Sequence, residues 1–388
     1  MKKIFLLSMI VLCTTITNAQ WQQTSIDKTG ACFVANGTNI FAGTFGGGMF
    51  LSTNDGASWT EINNGLTNKE IFSLAVIGTN IFAGTNGGGA FLSTNNGTSW
   101  TEISNGLSNK VILSLIVSGT NIFAGTNGGG AFLSTNNGTS WTEINSGLTN
   151  KNIYALAVSG TKIFAGTGKD NGRLFLSTNN GTSWTAVNNG LPDADVYALA
   201  VIGTNIFAGA IGGVFLSTDN GTSWTAVNDG LTDTGIESLT VNGTNIFAGT
   251  PSGVFLSTNN GTSWTTVNDG LPSSDVYALA VIGTNIFAGT PSGVWKRPLS
   301  EVTGITKNNN DISFTLYPNP SDGRFAIDIT GSKLPVQNLE ICNVLGEKVY
   351  SEEKSKSLIF NLALPCGIYF IQLKTQQDVI TQKIIIRK

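Results

Sequence analysis

Asn80-Ile81-Phe82-Ala83-Gly84, followed after a short gap by Ser93-Thr94-Asn95-Asn96-Gly97-Thr98-Ser99-Trp100, is the stretch that decides the fold. Close variants of the first half occur seven times between Asn39 and Gly289, and six of them are followed by the second half. The closing tryptophans, Trp59, Trp100, Trp141, Trp184, Trp224 and Trp264, recur every 40 to 43 residues. That period fits four-stranded propeller blades rather than helical repeats. In the copy quoted, residues 71–76, 80–84, 89–93 and 99–103 are short apolar or alternating runs bounded by Gly, Asn, Thr or Ser, the pattern of four strands.

The first run of each copy, Phe-Ser-Leu-Ala-Val here and Tyr-Ala-Leu-Ala-Val at Tyr154, Tyr197 and Tyr277, is apolar on both faces. An innermost strand covered by neighbouring blades has that composition. The box reads as a hairpin: in the first copy Ser52, Asn54 and Gly56 supply a side chain that bonds nearby amides and a glycine that accepts positive φ. The seventh copy runs from Val276 to Lys296 and stops without a box, whereas the segment Trp21-Gln22-Gln23-Thr24 resembles the strand Trp59-Thr60-Glu61-Ile62 with nothing before it. Joining these two halves predicts an all-β, seven-bladed propeller over residues 20–301, closed by the N-terminal strand and free of exposed edges.

The box resembles the Asp-box of the BNR family, which is found in sialidases, sortilin-like receptors, xyloglucanases and photosystem assembly factors. The acidic position is Asp only at Asp219 and Asn at Asn54, Asn95, Asn136, Asn179 and Asn259. Asn keeps the turn-capping carbonyl and loses the charge, so these boxes are expected to be structural. The resemblance implies that they lie on the face opposite the ligand site.

The chain has 388 residues, 40% of them hydrophobic, and 48 glycines, which suits a turn-rich β protein. Lys2 and Lys3, an apolar run from Ile4 to Cys13 and the small residue Ala19 predict a secretory signal over residues 1–19. The residue before Cys13 is Leu12, which does not suit a lipoprotein site. The apolar run is too short to span a bilayer, which needs about 20 residues. Loss of Lys2 and Lys3 takes the formal charge from −3 to −5, with no basic stripe to attract nucleic acid. Cys32, Cys342 and Cys366 remain, an odd number that argues against a disulfide framework; Cys342 and Cys366 are left as a possible pair, free thiols being preferred. The chain has no histidine, which excludes Ser-His and Cys-His nucleophiles and histidine-based zinc sites.

The repeat ends near residue 301, and residues 302–313 read as a polar linker. Residues 314–388 then carry Tyr317-Pro318-Asn319-Pro320-Ser321-Asp322-Gly323, Asn343-Val344-Leu345-Gly346-Glu347, Pro365-Cys366-Gly367-Ile368-Tyr369 and a final run ending at Lys388. These motifs, in this order, resemble the type A sorting domain of the type IX secretion system of Bacteroidota. The resemblance implies a small Ig-like sandwich, recognition by the outer-membrane translocon, removal by a sortase, and a passenger that is released or anchored at the cell surface.

Near-identical blades repeat one group around a ring, whereas an asymmetric reaction needs different groups at different points. Within the propeller the arginines are Arg173 and Arg297, so the three-arginine clamp of sialidases is missing. Variation falls in loops expected on one face. Lys69, Lys110 and Lys151 mark one arc, and Asp193, Asp195, Asp229, Asp233, Asp269 and Asp275 the other. One loop alone carries an insertion, with Lys169, Asp170 and Arg173; its Asp-Asn-Gly is too short for a calcium loop. The expectation is a monomeric, non-enzymatic surface or secreted module without cofactor or metal, binding a glycan or protein on that face. The runner-up is a glycoside hydrolase using carboxylates among Asp193, Asp195, Asp229 and Asp275.

Overall fold

The computed structural model describes residues 20–168, 173–272, 275–302, 313–330, 338–343, 347–353, 359–374 and 379–387. The expected signal segment, most of the expected linker, and Lys169, Asp170, Gly346 and Lys388 lie outside them. The chain divides into two compact units, with the boundary between Gly304 and Ile305. Val302, assigned from the sequence to the linker, is 6% exposed and packs with Trp21 and Leu279, so the first unit runs a little beyond residue 301.

Repeated four-stranded antiparallel sheets, seven among the described residues, build the first unit. Sheet II shows the pattern: Ile71–Ile77, Asn80–Thr85, Ala90–Ser93 and Thr101–Glu102, hydrogen-bonded in sequence order. Sheets I, III, IV, V and VI repeat it from Gly30–Asn36, Ile112–Ser118, Ile153–Ser159, Val196–Ile202 and Ser238–Asn242. Sheet VII is assembled differently. Its order is Gln22–Gln23, Gly293–Pro298, Asn285–Thr290, Ala278–Ile282, with Gln22 opposite Lys296 and Gln23 opposite Trp295. The N-terminal segment therefore occupies the fourth-strand place that the seventh copy lacks.

The repeat residues explain how sheets meet. Each Ile-Phe-Ala-Gly phenylalanine, from Phe41 to Phe287, is no more than 1% exposed. The glycine that follows lies against the next sheet's innermost strand. A Cβ on Gly125 would come within 2.5 Å of Ile153 Cγ2, and one on Gly289 within 2.5 Å of the Gly30 carbonyl oxygen. Glycine is required there because two sheets approach more closely than a methyl group allows.

The boxes are turns keyed to neighbouring sheets. Ser93 Oγ accepts from the Gly97 amide at 2.8 Å and donates to Asn95 Oδ1 at 2.9 Å, while Asn95 Oδ1 also accepts from the Ser99 amide at 3.0 Å. Asn96 takes a positive φ of 55°, which Asn tolerates. Asp219 makes the same bonds and adds one from Ser223 Oγ at 2.6 Å. The Ser223 hydroxyl and amide, with Ser217, hold its carboxyl down at about 2. The Trp100 indole N–H then donates to the Ile62 carbonyl of the preceding sheet at 2.8 Å, and Trp141, Trp184, Trp224 and Trp264 do likewise. Trp21 copies them, donating to the Val267 carbonyl at 2.7 Å. Trp59, where sheet I adjoins sheet VII, has a buried indole nitrogen without a partner.

The second unit has a three-stranded sheet, Ser313–Tyr317, Arg324–Thr330 and Ile359–Asn361. A four-stranded sheet has the order Lys348–Glu353, Asn338–Asn343, Gly367–Lys374, Val379–Ile386. One hydrophobic cluster draws Phe325, Ile327 and Phe360 from the first and Leu339, Ile341, Tyr369, Ile371 and Ile384 from the second. Asn319 grips the last strand by donating to the Lys383 carbonyl at 2.7 Å and accepting from the Ile385 amide at 2.9 Å. Gly323, with φ +106°, has no room for a side chain because a Cβ would sit 2.4 Å from the Leu362 carbonyl oxygen. Pro318 and Pro320 are exposed, and Tyr369 donates to the Pro365 carbonyl at 3.1 Å. Cys32, Cys342 and Cys366 are all free thiols.

Candidate functional site

A bulge opens the innermost strand of sheets I to V. In sheet II, Ile71 pairs with Thr85 and Ser73 with Gly84, so Phe72 is left over. Ala31, Leu113, Tyr154 and Tyr197 are the corresponding extra residues. A bulge re-aims the side chain of the extra residue. These five, together with Glu237 and Tyr277 at the same place in sheets VI and VII, line one cavity of about 670 Å³. Phe45, Ile211 and Pro251, from loops that follow second strands, complete its wall. A narrower space of about 250 Å³ continues along the same strands, past Ser73, Ser114 and Ser238.

The wall is largely aromatic. Tyr154 and Tyr197 lie 5.0 Å apart between ring centroids, and Phe45 contacts Phe72 at 5.2 Å and Tyr277 at 6.1 Å. Tyr197 donates its hydroxyl to Asp195 at 2.8 Å, and Tyr277 donates to Asp275 at 3.2 Å. Burial foremost, then these bonds, pushes both phenols up, the nearby Glu237 charge adding to the effect. Glu237 itself is half-buried. Desolvation raises its carboxyl above the usual range, and the charges of Asp275 and Asp233 add to that. Its carboxylate has no hydrogen-bond or ion-pair partner among the described residues.

The loop charges named from the sequence take up different positions. Lys69, Lys110 and Lys151 pair with Glu61, Glu102 and Glu143 of the preceding outer strands at 3.2, 2.6 and 3.4 Å. Bonds from Asn63 and then Lys69 lower the Glu61 pKa, Asn145 and then Lys151 lower that of Glu143, and Lys110 and then Ser104 that of Glu102; the pairs tie the basic arc off within its own repeats. Arg173 is bound to Asp193 at 3.2 Å. Asp233 accepts from the Gly235 amide at 3.0 Å and from Ser252 Oγ at 2.6 Å. Asp229 and Asp269 are placed elsewhere: their carbonyls accept the backbone amides of Trp264 and Trp21, at the joins between sheets. The charges of Asp233 and Asp275 thus act on Glu237, Asp195 is held by Tyr197, and Asp229 and Asp269 sit at the joins between sheets. Among the described residues no group of His, Cys, Asp or Glu is arranged for a metal ion.

Sequence reasoning passed over Glu237 and the aromatic ring of residues. The available signal was a single variable column, Ala31, Phe72, Leu113, Tyr154, Tyr197, Glu237 and Tyr277, each followed by a small residue, Ala, Ser or Cys.

A repeated-sheet unit with a cavity of varied lining, followed by a motif-bearing β unit, defines a β-propeller protein with a sorting tail. Residues 17–162, 75–207 and 149–290 match the DUF6242 beta propeller domain, and residues 315–387 match the secretion system C-terminal sorting domain. The chain belongs to the DUF6242 propeller family and carries that sorting domain, which points to secretion or surface localisation by the type IX route. No curated protein matches it in sequence.

Solved structures share the fold at low identity. The extracellular domain of a one-component system from B. thetaiotaomicron superposes with a TM-score of 0.62 at 16% identity, over 94% of this chain and 52% of that one. PorZ, a surface component of the type IX secretion system of Porphyromonas gingivalis, gives 0.55 at 14% identity, over 92% and 59%. YCF48 bound to a D1 peptide gives 0.61 at 14% identity, over 72% and 96%. The chain spans little more than half the length of the first two. No helix among the described residues is long and apolar enough to cross a membrane.

Proposed function

We propose that this protein is a non-enzymatic binding module, delivered to the cell surface or the medium, whose axial cavity holds part of a glycan or protein. In this reading the seven sheets form one seven-bladed ring closed by the Gln22–Gln23 strand, the second unit is a small Ig-like sandwich, and residues 1–19 are a cleaved signal. The translocon and sortase engage the sandwich. The observation that carries the binding role is the contrast within the repeat: packing positions are kept from copy to copy, while the position aimed into the cavity takes Ala, Phe, Leu, Tyr and Glu. Most of the loop carboxylates are already engaged, Asp193 by Arg173, Asp195 and Asp275 by tyrosines, Asp233 by Ser252.

A glycoside hydrolase is the second reading, favoured by one feature: Glu237 lies near a second carboxylate, Asp275, with its own pKa raised by desolvation, the direction a general acid needs. Polysaccharides incubated with the mature chain separate the two. Binding without turnover is expected; hydrolysis abolished by Glu237→Gln or Asp275→Asn would establish the enzyme instead. For export, removal of residues 314–388 is expected to leave the protein in the periplasm, and fractionation showing undiminished surface or medium delivery would refute the sorting assignment.

A further inference from the structure

We propose that the axial cavity recognises an organic cation, an ammonium or guanidinium group carried by a peptide side chain or by a small amine. This rests on the reading of the cavity as the ligand site and gives its ligand a chemistry. Three independent features converge on it.

The first is Glu237. Its half-buried carboxylate has no hydrogen-bond or ion-pair partner among the described residues, and it lines the cavity. A desolvated carboxylate without a counter-charge is unfavourable, and a cation placed in the cavity removes that penalty. A neutral sugar would leave the charge uncompensated.

The second is the aromatic wall. In ring order Glu237 falls between Tyr197 and Tyr277, with Tyr154 beyond the first and Phe45 and Phe72 in contact around the second. The hydroxyls of Tyr197 and Tyr277 are committed to Asp195 and Asp275, so these two rings contribute aromatic surface rather than free donors. Aromatic rings beside a carboxylate attract cations through the quadrupole and the full charge together.

The third is the field around the opening. Asp233 and Asp275 lie close enough for their charges to act on Glu237, while Lys69, Lys110, Lys151 and Arg173 are each paired with an acidic partner. A cleft lined by one sign of charge concentrates ligands of the other sign and repels anions. A volume of about 670 Å³ accommodates a cationic head with its stem or backbone rather than a bare ion.

Calorimetric titration of the mature chain at low salt tests this with tetramethylammonium chloride, acetyl-Gly-Arg-Gly-amide and the uncharged acetyl-Gly-Gln-Gly-amide. The cations are expected to bind and the Gln peptide not, with affinity falling as NaCl is added. Tighter binding of tetramethylammonium would assign a small amine as the source, and tighter binding of the Arg peptide a protein side chain. Glu237→Gln and Tyr277→Leu are each expected to weaken binding at least about fivefold, whereas Tyr277→Phe, which keeps the ring and loses the bond to Asp275, stays within about twofold. A single cooperative melting transition for each variant confirms that it is folded. Absence of cation binding up to about 50 mM, or cation binding indifferent to Glu237→Gln, overturns the proposal. If a neutral oligosaccharide or an acidic peptide binds instead and Tyr277→Leu abolishes it, the cation is refuted while the cavity remains the ligand site. If a ligand binds and no cavity substitution affects it, both readings fall.

Discussion

Glu237 shows how a single residue trades stability for a site. Its pKa is raised in the folded state, chiefly by desolvation, so the folded chain holds this proton more tightly than the unfolded one. Ionisation therefore costs stability as pH rises above the ordinary carboxylate range, near about 4.3, and the cost is complete once the folded group has also ionised. Glu237→Gln is expected to raise the melting midpoint at neutral pH by on the order of 1–3 °C, a modest gain because the group is partly solvated. Below about pH 4 the variant and the parent should melt together. A lower midpoint for the variant at pH 7 would show that the carboxylate is stabilised by a contact. This residue was legible in the sequence only as one odd member of a variable column. Both faces of the innermost strand read as apolar and covered by neighbours, and the bulges that turn Phe72 or Tyr197 out of the ladder leave no mark on the hydrophobic pattern.

At the scale of one sheet, the repeat announced itself fully. The four-strand period, the box hairpin and the structural role of Asn95 and its equivalents follow from turn chemistry and spacing, and the bonds around Ser93 and Asn95 match that reading. What spacing did not reveal is how the sheets touch. Gly125 stands where a methyl group would strike Ile153, so Gly125→Ala is expected to destabilise the first unit by about 1–3 kcal/mol through overpacking, measurable by urea denaturation. An unchanged midpoint would mean that the neighbouring strand yields freely. The indoles give a second comparison. Trp100→Phe loses a bond to Ile62 that Trp59→Phe does not, since Trp59 has no partner, and should cost about 1 kcal/mol more. Equal losses would show that the bond contributes nothing. The ion pairing of the lysine arc was not legible from the loops alone, because each partner is the outer-strand glutamate eight residues earlier in the same repeat.

For the whole molecule, the pairing of the N-terminal segment was legible because Trp21-Gln22-Gln23-Thr24 resembles Trp59-Thr60-Glu61-Ile62. The structure adds that Trp21 makes the same inter-sheet bond as the box tryptophans. Trp21→Ala is expected to cost about 3–5 kcal/mol and to unfasten the Gln22–Gln23 strand from Gly293–Pro298. The bared edge should then recruit a second copy, raising the mass seen by light scattering; a variant that melts early yet stays monomeric would show that the edge is harmless.

That pairing also sets a timetable. Sheets I to VI are each drawn from a contiguous stretch of about thirty residues, so each has its full complement of strands soon after its own segment emerges. Sheet VII waits, since Gln22 cannot meet Lys296 until nearly the whole first unit has been made. The slow, long-range event in folding is thereby gathered into one final step, and the Gln22–Gln23 segment stays without its partner strand until Gly293–Pro298 has arrived.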